Sequence, residues 1–273
     1  MPQEQCYMCD SEATSVEHVP PRCLFPELKD AKKDYRINLI TVPSCDEHNG
    51  KKSLDDEFLM VSIAGIIGNN SIGYEHYNGK IQRALKRTSY KLLEKVFLKK
   101  RLIRLGNENK FIDVLWGTPD YKRLIDCFTH IAYGIHRHHF KASFVGTTKA
   151  LLGFLHTNVS NPKVFKAFIK EKASLELADK TKHGDNPTVF YYQYTEPDKF
   201  GIFLVKLCFY QNVDVYISYM PSSSEKPFHI GFELINLGCK TIITLGDKEF
   251  EFNSSADSAG LTRNPRIDSD KTD

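Results

Sequence analysis

No stretch of this chain is apolar for long enough to cross a bilayer. Apolar runs such as residues 63–67 are far short of the roughly 20 residues that a spanning helix needs. A signal-like start is missing too. MPQEQCYMCD has neither a basic opening nor an apolar core, so the expectation is a cytoplasmic protein with no membrane partner. Cysteine numbers seven; a secreted disulfide framework prefers an even set, whereas Cys-x2-Cys inside a cell favours metal. No internal repeat is visible. Acid is nearly absent from residues 80–104, where Glu94 stands alone.

What is present is ordinary in bulk and uneven in distribution. At 273 residues, 41% hydrophobic and 26% charged, the chain reads as a soluble globular protein of about two domains. The net charge of +3 hides a local excess: residues 80–104 hold ten Lys and Arg, which leaves 27 bases and 33 acids elsewhere. Concentrated positive charge matters more for a polyanionic partner than the total does.

Taken in order, SVEHV (15–19) and INLITV (37–42) read as strands, and a helix is expected from about His48 with Leu54, Phe58 and Leu59 on one face. The loop-like 68–79 precedes a long amphipathic helix predicted over 81–105, with Ile81, Leu85, Leu92, Val96 and Ile103 near one face. Thr118-Pro119 should open a second helix, and Ser160 or Asn161 before Pro162 a third; KALLGFLH between them suggests a short one. From residue 184 the runs TVFYYQY, FGIFLVKLCFY, VDVYISY, FHIGFELI and KTIITL predict an antiparallel meander. The polar tail 253–273 has the composition of disorder. The expectation is an α+β protein: a compact module over 1–60, a helical region over 61–183 and a β region over 184–252.

The chemistry concentrates in residues 6–58. Cys6-x2-Cys9 and Cys45-x2-His48 are four ligands of the kind that tetrahedral Zn²⁺ takes, each pair able to bite one ion from a tight turn. Zinc would clasp the base of a 35-residue excursion and add stability to a module with little apolar core. Glu17 could hold a hard cation such as Mg²⁺, and neighbouring His18 could take a proton from water. Asn49 offers a further metal-directed oxygen, and Asn38 an amide able to orient the His loop. Each has a plainer reading as well: Asn49 as a helix cap, Asn38 as a turn residue, His18 as a surface imidazole. Of the other histidines, His136 and His139 are expected to pack or face solvent. Cys23, Cys127, Cys208 and Cys239 read as unpaired thiols.

EHVPP, INLITVPSC and CDEHNGKKSLDDEF, in that order, resemble the HNH endonuclease motif over about residues 6–60. Glu17 stands where that motif more commonly has Asp. The resemblance implies a ββα-metal unit with His18 as general base, Asn38 as orienting residue, Glu17 and Asn49 on a catalytic Mg²⁺ or Mn²⁺, and Cys6, Cys9, Cys45 and His48 on structural zinc. It implies hydrolysis of DNA to 5′-phosphate and 3′-hydroxyl ends, by nicking unless a homodimer assembles. Phosphate contacts are expected from Arg22, Lys51 and Lys52 beside the motif and from Arg83, Lys86, Arg87, Lys91 and Lys95 on the basic segment. An RNA-directed nuclease and a non-catalytic zinc module for binding nucleic acid or protein are the alternatives.

Overall fold

A computed structural model describes residues 4–50, 53–89, 91–105, 112–224, 230–254 and 261–263. Strand β1 (Ser15–His18) pairs antiparallel with β2 (Thr41–Ser44), setting Ser15 opposite Ser44, Glu17 opposite Val42 and His18 opposite Thr41. Side chains alternate along a strand, so Ser15 and Glu17 share one face, and Val16 and His18 the other. A 3-10 turn, Arg22–Leu24, lies in the long connection. Immediately after β2 come α1 (Asp46–Gly50) and α2 (Ser53–Ala64), giving the expected order of strand, loop, strand, helix. Phe58 and Leu59 are buried as the periodicity predicts, while Leu54 is exposed. The second strand starts later than expected. Asn38 lies in the turn before it with φ of 53°, a left-handed conformation that Asn tolerates better than most residues.

The long basic helix is replaced by a series of shorter elements. Helix α3 (Ser71–His76) runs through a π turn at Tyr77–Ile81 into α4 (Gln82–Arg87), which stops where Thr88 Oγ1 bonds the carbonyls of Ala84 and Leu85 and Ser89 turns to φ of 49°. After α5 (Lys91–Val96), the chain becomes a strand, β3 (Phe97–Leu105), paired antiparallel with β4 (Ile112–Pro119). Residues 97–105 fit either period. The β-rich IDVLW sequence supplies a partner, and ladder hydrogen bonding outweighs a helical pattern that has no such partner. Thr118 and Pro119 therefore end a strand, and Asp120 caps the next helix by accepting from the Arg123 N–H at 3.1 Å.

That helix, α6 (Tyr121–Phe140), is the axis of the molecule. Its buried stripe of Leu124, Phe128, Ile131 and Ile135 has the spacing of one helix face. It packs against β2, α2, β5 (Gly146–Leu152, a strand where a short helix was expected) and β8 (Val213–Pro221) of a four-stranded sheet. After α7 (Ser160–Leu177) come β6 (Phe190–Tyr194), β7 (Phe203–Phe209) and β8 (Val213–Pro221), and the antiparallel sheet order is β5-β8-β7-β6. Two tyrosines tie the sheet to the rest. Tyr219 donates to the Ala132 carbonyl at 2.7 Å and Tyr210 to the Leu24 carbonyl at 2.6 Å. Since the Tyr210 proton goes to Leu24, the neutral His76 ring donates to Tyr210 from Nδ1. Burial holds the His76 pKa down at about 4.

Beyond Pro221 the expected single meander divides. FHIGFELI contributes a helix, α8 (Ile230–Asn236), instead of a strand; KTIITL forms β9 (Thr241–Leu245) in a separate sheet with β10 (Lys248–Phe252) and β11 (Leu261–Arg263). Phe250 and Phe252 pack there with Val164 of α7, apart from the main core. The α7 start is not capped by a side chain: Asn161 instead pairs with Asn253, donating from Nδ2 to its Oδ1 at 2.7 Å and accepting its N–H at 2.9 Å. Apart from residues 253–254 and 261–263, the tail lies outside the described residues. The protein is α+β, as its sequence suggests.

The strand module meets α6 at Gly134. A Cβ there would lie 2.7 Å from both methyl carbons of Val19, which is itself buried. Gly134→Ala should therefore lower the melting temperature, since overpacking costs about 1–3 kcal/mol against a helix-propensity gain of about 1 kcal/mol. Adding Val19→Ala should recover part of the loss. A melting temperature raised by Gly134→Ala alone would contradict the close contact.

Candidate metal centre

The first ligand pair sits in a tight turn. The Cys6 N–H donates to the Ser11 carbonyl at 2.9 Å, and the Met8 N–H points at Cys6 Sγ from 3.5 Å. The second pair is made by the helix start: Cys45 stands between β2 and α1, its carbonyl accepts from the N–H groups of His48 and Asn49, and the three-residue step puts His48 on the same face.

These four ligand atoms lie within 4.8 Å of one another. Cys9 Sγ is 3.8 Å from Cys45 Sγ; His48 Nδ1 is 3.6, 3.5 and 3.2 Å from the sulfurs of Cys6, Cys9 and Cys45. A zinc tetrahedron with Zn–S near 2.3 Å and Zn–N near 2.0 Å has edges of about 3.8 Å between sulfurs and about 3.5 Å from sulfur to nitrogen. The residues fit the ion. Among the described residues this is the one Cys, His, Asp and Glu cluster with metal-binding geometry. Burial raises the Cys6 thiol pKa, while the Ser11 hydrogen bond lowers that of Cys9.

Glu17 and Asn49 border the same end of the hairpin. Ser44 Oγ approaches Glu17 Oε2 at 3.4 Å, Ser15 Oγ donates to the Ser44 carbonyl at 3.1 Å, and Asn49 Nδ2 donates to Ser15 Oγ at 2.8 Å. The Tyr7 hydroxyl also donates to Glu17, whose exposure is only 7%. With Nδ2 committed to Ser15, the group that Asn49 can offer a cation is Oδ1. His18 points to the opposite strand face and is half-buried. Its pKa is lowered by burial and nearby Arg22, and raised less by Glu17. Asn38 is exposed in its turn, so the expectation of an amide on the second strand is corrected.

The basic residues divide into committed and open. Arg83 makes a bidentate pair with Asp30 at 2.6 and 2.7 Å, and Lys80 lies 3.5 Å from Glu27. Arg22, Lys86, Arg87 and Lys91 are exposed. Lys51, Lys52 and the Lys95 side chain lie outside the described residues. His136 is a packing residue: it is buried against Phe140, Phe144 and Tyr219, with Nδ1 3.0 Å from the Ala142 carbonyl.

Sequence reasoning missed Tyr7, Ser15 and Ser44. Ser15 was readable from its position two residues before Glu17 on one strand; Tyr7 and Ser44 reach Glu17 through the pairing and the metal turn. Compared with family models, curated proteins and solved structures, the chain shows no match.

Purified protein should carry about one zinc per chain. Cys45→Ser should lose most of that zinc and make residues 10–44 sensitive to protease, whereas exposed Cys239→Ser should alter neither. Undiminished zinc in Cys45→Ser would count against the cluster.

Proposed function

We propose that this chain is a metal-dependent endonuclease of the HNH kind, hydrolysing phosphodiester bonds in DNA. The observation that carries the reading is the strand-strand-helix unit clasped by the three cysteines and His48, on which the motif residues Glu17, His18 and Asn49 all sit. Glu17 and Asn49 would hold a Mg²⁺ or Mn²⁺ ion, with the Ser15–Ser44 pair fixing their relative position. Bound there, the ion would supply the positive charge that eases departure of the 3′ oxygen. His18 takes a proton from water as the water oxygen bonds to phosphorus; the bond to the 3′ oxygen breaks and that oxygen takes a proton from a second water, leaving 5′-phosphate and 3′-hydroxyl ends. Arg22 is exposed and near His18, which supports a role for it in meeting a phosphate.

A second reading is favoured by one feature. Glu17 is buried with two hydroxyl partners on the strand face opposite His18, as a purely structural carboxylate would be. On that reading the module is a zinc-stapled platform for binding nucleic acid or protein.

Nicking of supercoiled plasmid in Mg²⁺ or Mn²⁺ separates the two. The nuclease reading expects nicking by wild type and a loss of roughly 100-fold or more in His18→Ala, with zinc content unchanged. Cleavage retained in His18→Ala removes the base from its role. No cleavage of DNA or RNA by wild type leaves the binding platform.

A further inference from the structure

The C-terminal end of α6, beyond the packed His136, carries Arg137 and His138, with Lys141 as its cap residue. It forms one wall of a groove of about 350 Å³, whose other wall is the outer face of the hairpin. Val16, Thr41 and Pro43 line the hairpin side; Arg137, His138 and Lys141 line the helix side. Thr41 is the direct cross-strand partner of His18, and Val16 is two residues before it on the same face. The groove therefore lies on the strand face that also carries His18, next to that residue's cross-strand partner Thr41.

Its charge suits a polyanion. Lys141 is exposed and Arg137 half-buried. Among the described residues neither makes a salt bridge, in contrast to Lys80 and Arg83. Glu4 is the one carboxylate lining the groove. Cations at a helix C-terminus have a routine use, since they complement the helix dipole, and Arg137 Nη1 does donate to the Lys141 carbonyl at 3.0 Å. That contact occupies one of five guanidinium N–H groups. It also fixes the side chain beside the groove. Among the described residues the Lys141 ammonium has no such contact.

We propose that this groove seats the backbone of the DNA strand being cut, with Arg137 and Lys141 neutralising phosphates next to the one that faces His18. This assignment rests on the nuclease reading for its orientation. The binding it claims is measurable without turnover. Two phosphate contacts should appear as about 1.8 in the slope of log affinity against log salt.

The test uses the full zinc-loaded chain carrying His18→Ala, with a short labelled DNA duplex titrated by fluorescence anisotropy across a KCl series. Arg137→Gln keeps a donor for the Lys141 carbonyl, and Lys141→Asn suits the left-handed conformation there, at φ of 58°. Together they should weaken binding by roughly tenfold or more and shrink the slope by about 1.8; Lys141→Asn alone, which leaves the Arg137 cap in place, should shrink it by about 0.9. Lys170→Gln on α7 should change neither. An unchanged slope with affinity within about twofold overturns the proposal, as does a parent that does not bind DNA. An effect confined to RNA of the same sequence overturns the DNA assignment. Nicking by wild type with no groove effect removes the groove alone; a groove effect with no nicking by wild type removes the nuclease reading alone.

Discussion

Three sulfurs and one imidazole nitrogen, brought within 4.8 Å by residues up to 42 positions apart, set the geometry of the N-terminal module. Without an ion, burial disfavours the ionised form of the Cys6 thiol, and the four groups have weak mutual attraction. A metal replaces the thiol protons and turns this arrangement into a cross-link, worth about 10–16 kcal/mol in isolated finger peptides. Its leverage is local. A bound ion would join the Cys6–Cys9 turn to the start of α1 and so close the excursion that contains β1 and the Arg22 turn. Tyr7, Val19 and Leu24 belong to the same continuous core as α6 and the four-stranded sheet, so the module leans on the body of the protein as well as on the metal.

This placement gives the two strand faces different characters. The inner face holds Glu17 among hydroxyls, shielded from water and connected through Ser44 and Ser15 to Asn49. The outer face presents His18 beside a groove with cations on its far wall. Positive charge is therefore best counted by position. The densest basic segment spends Lys80 and Arg83 on Glu27 and Asp30, acids that belong to the excursion itself. Those pairs help to hold the excursion against α4. Of the open cations, Arg22 lies near the imidazole, while Arg137 and Lys141 line the groove from the C-terminal end of α6, far along the chain.

How much of this was legible depends on how local the information is. The metal ligands could be read because spacing alone encodes a turn and a helix step. The alternation of Ser15, Glu17 and Val42 against Val16, His18 and Thr41 follows from strand geometry once the pairing is known. The pairing of residues 97–105 with 112–119 could not be read, because the helical periodicity of the first is overruled by a partner strand downstream; the FHIGFELI run went the other way, from expected strand to a helix beginning at Ile230. Arg137 and Lys141 carry no motif. They reach the hairpin only because Gly134 lets α6 approach Val19, and a lone Gly within a helical pattern does not announce which neighbour needs the space.

X-ray absorption at the zinc edge of the purified protein tests the central claim most directly. The account predicts one four-coordinate zinc with three sulfur neighbours near 2.3 Å and one imidazole nitrogen near 2.0 Å. A shell of nitrogen and oxygen only, or protein that folds with no zinc at all, would contradict it.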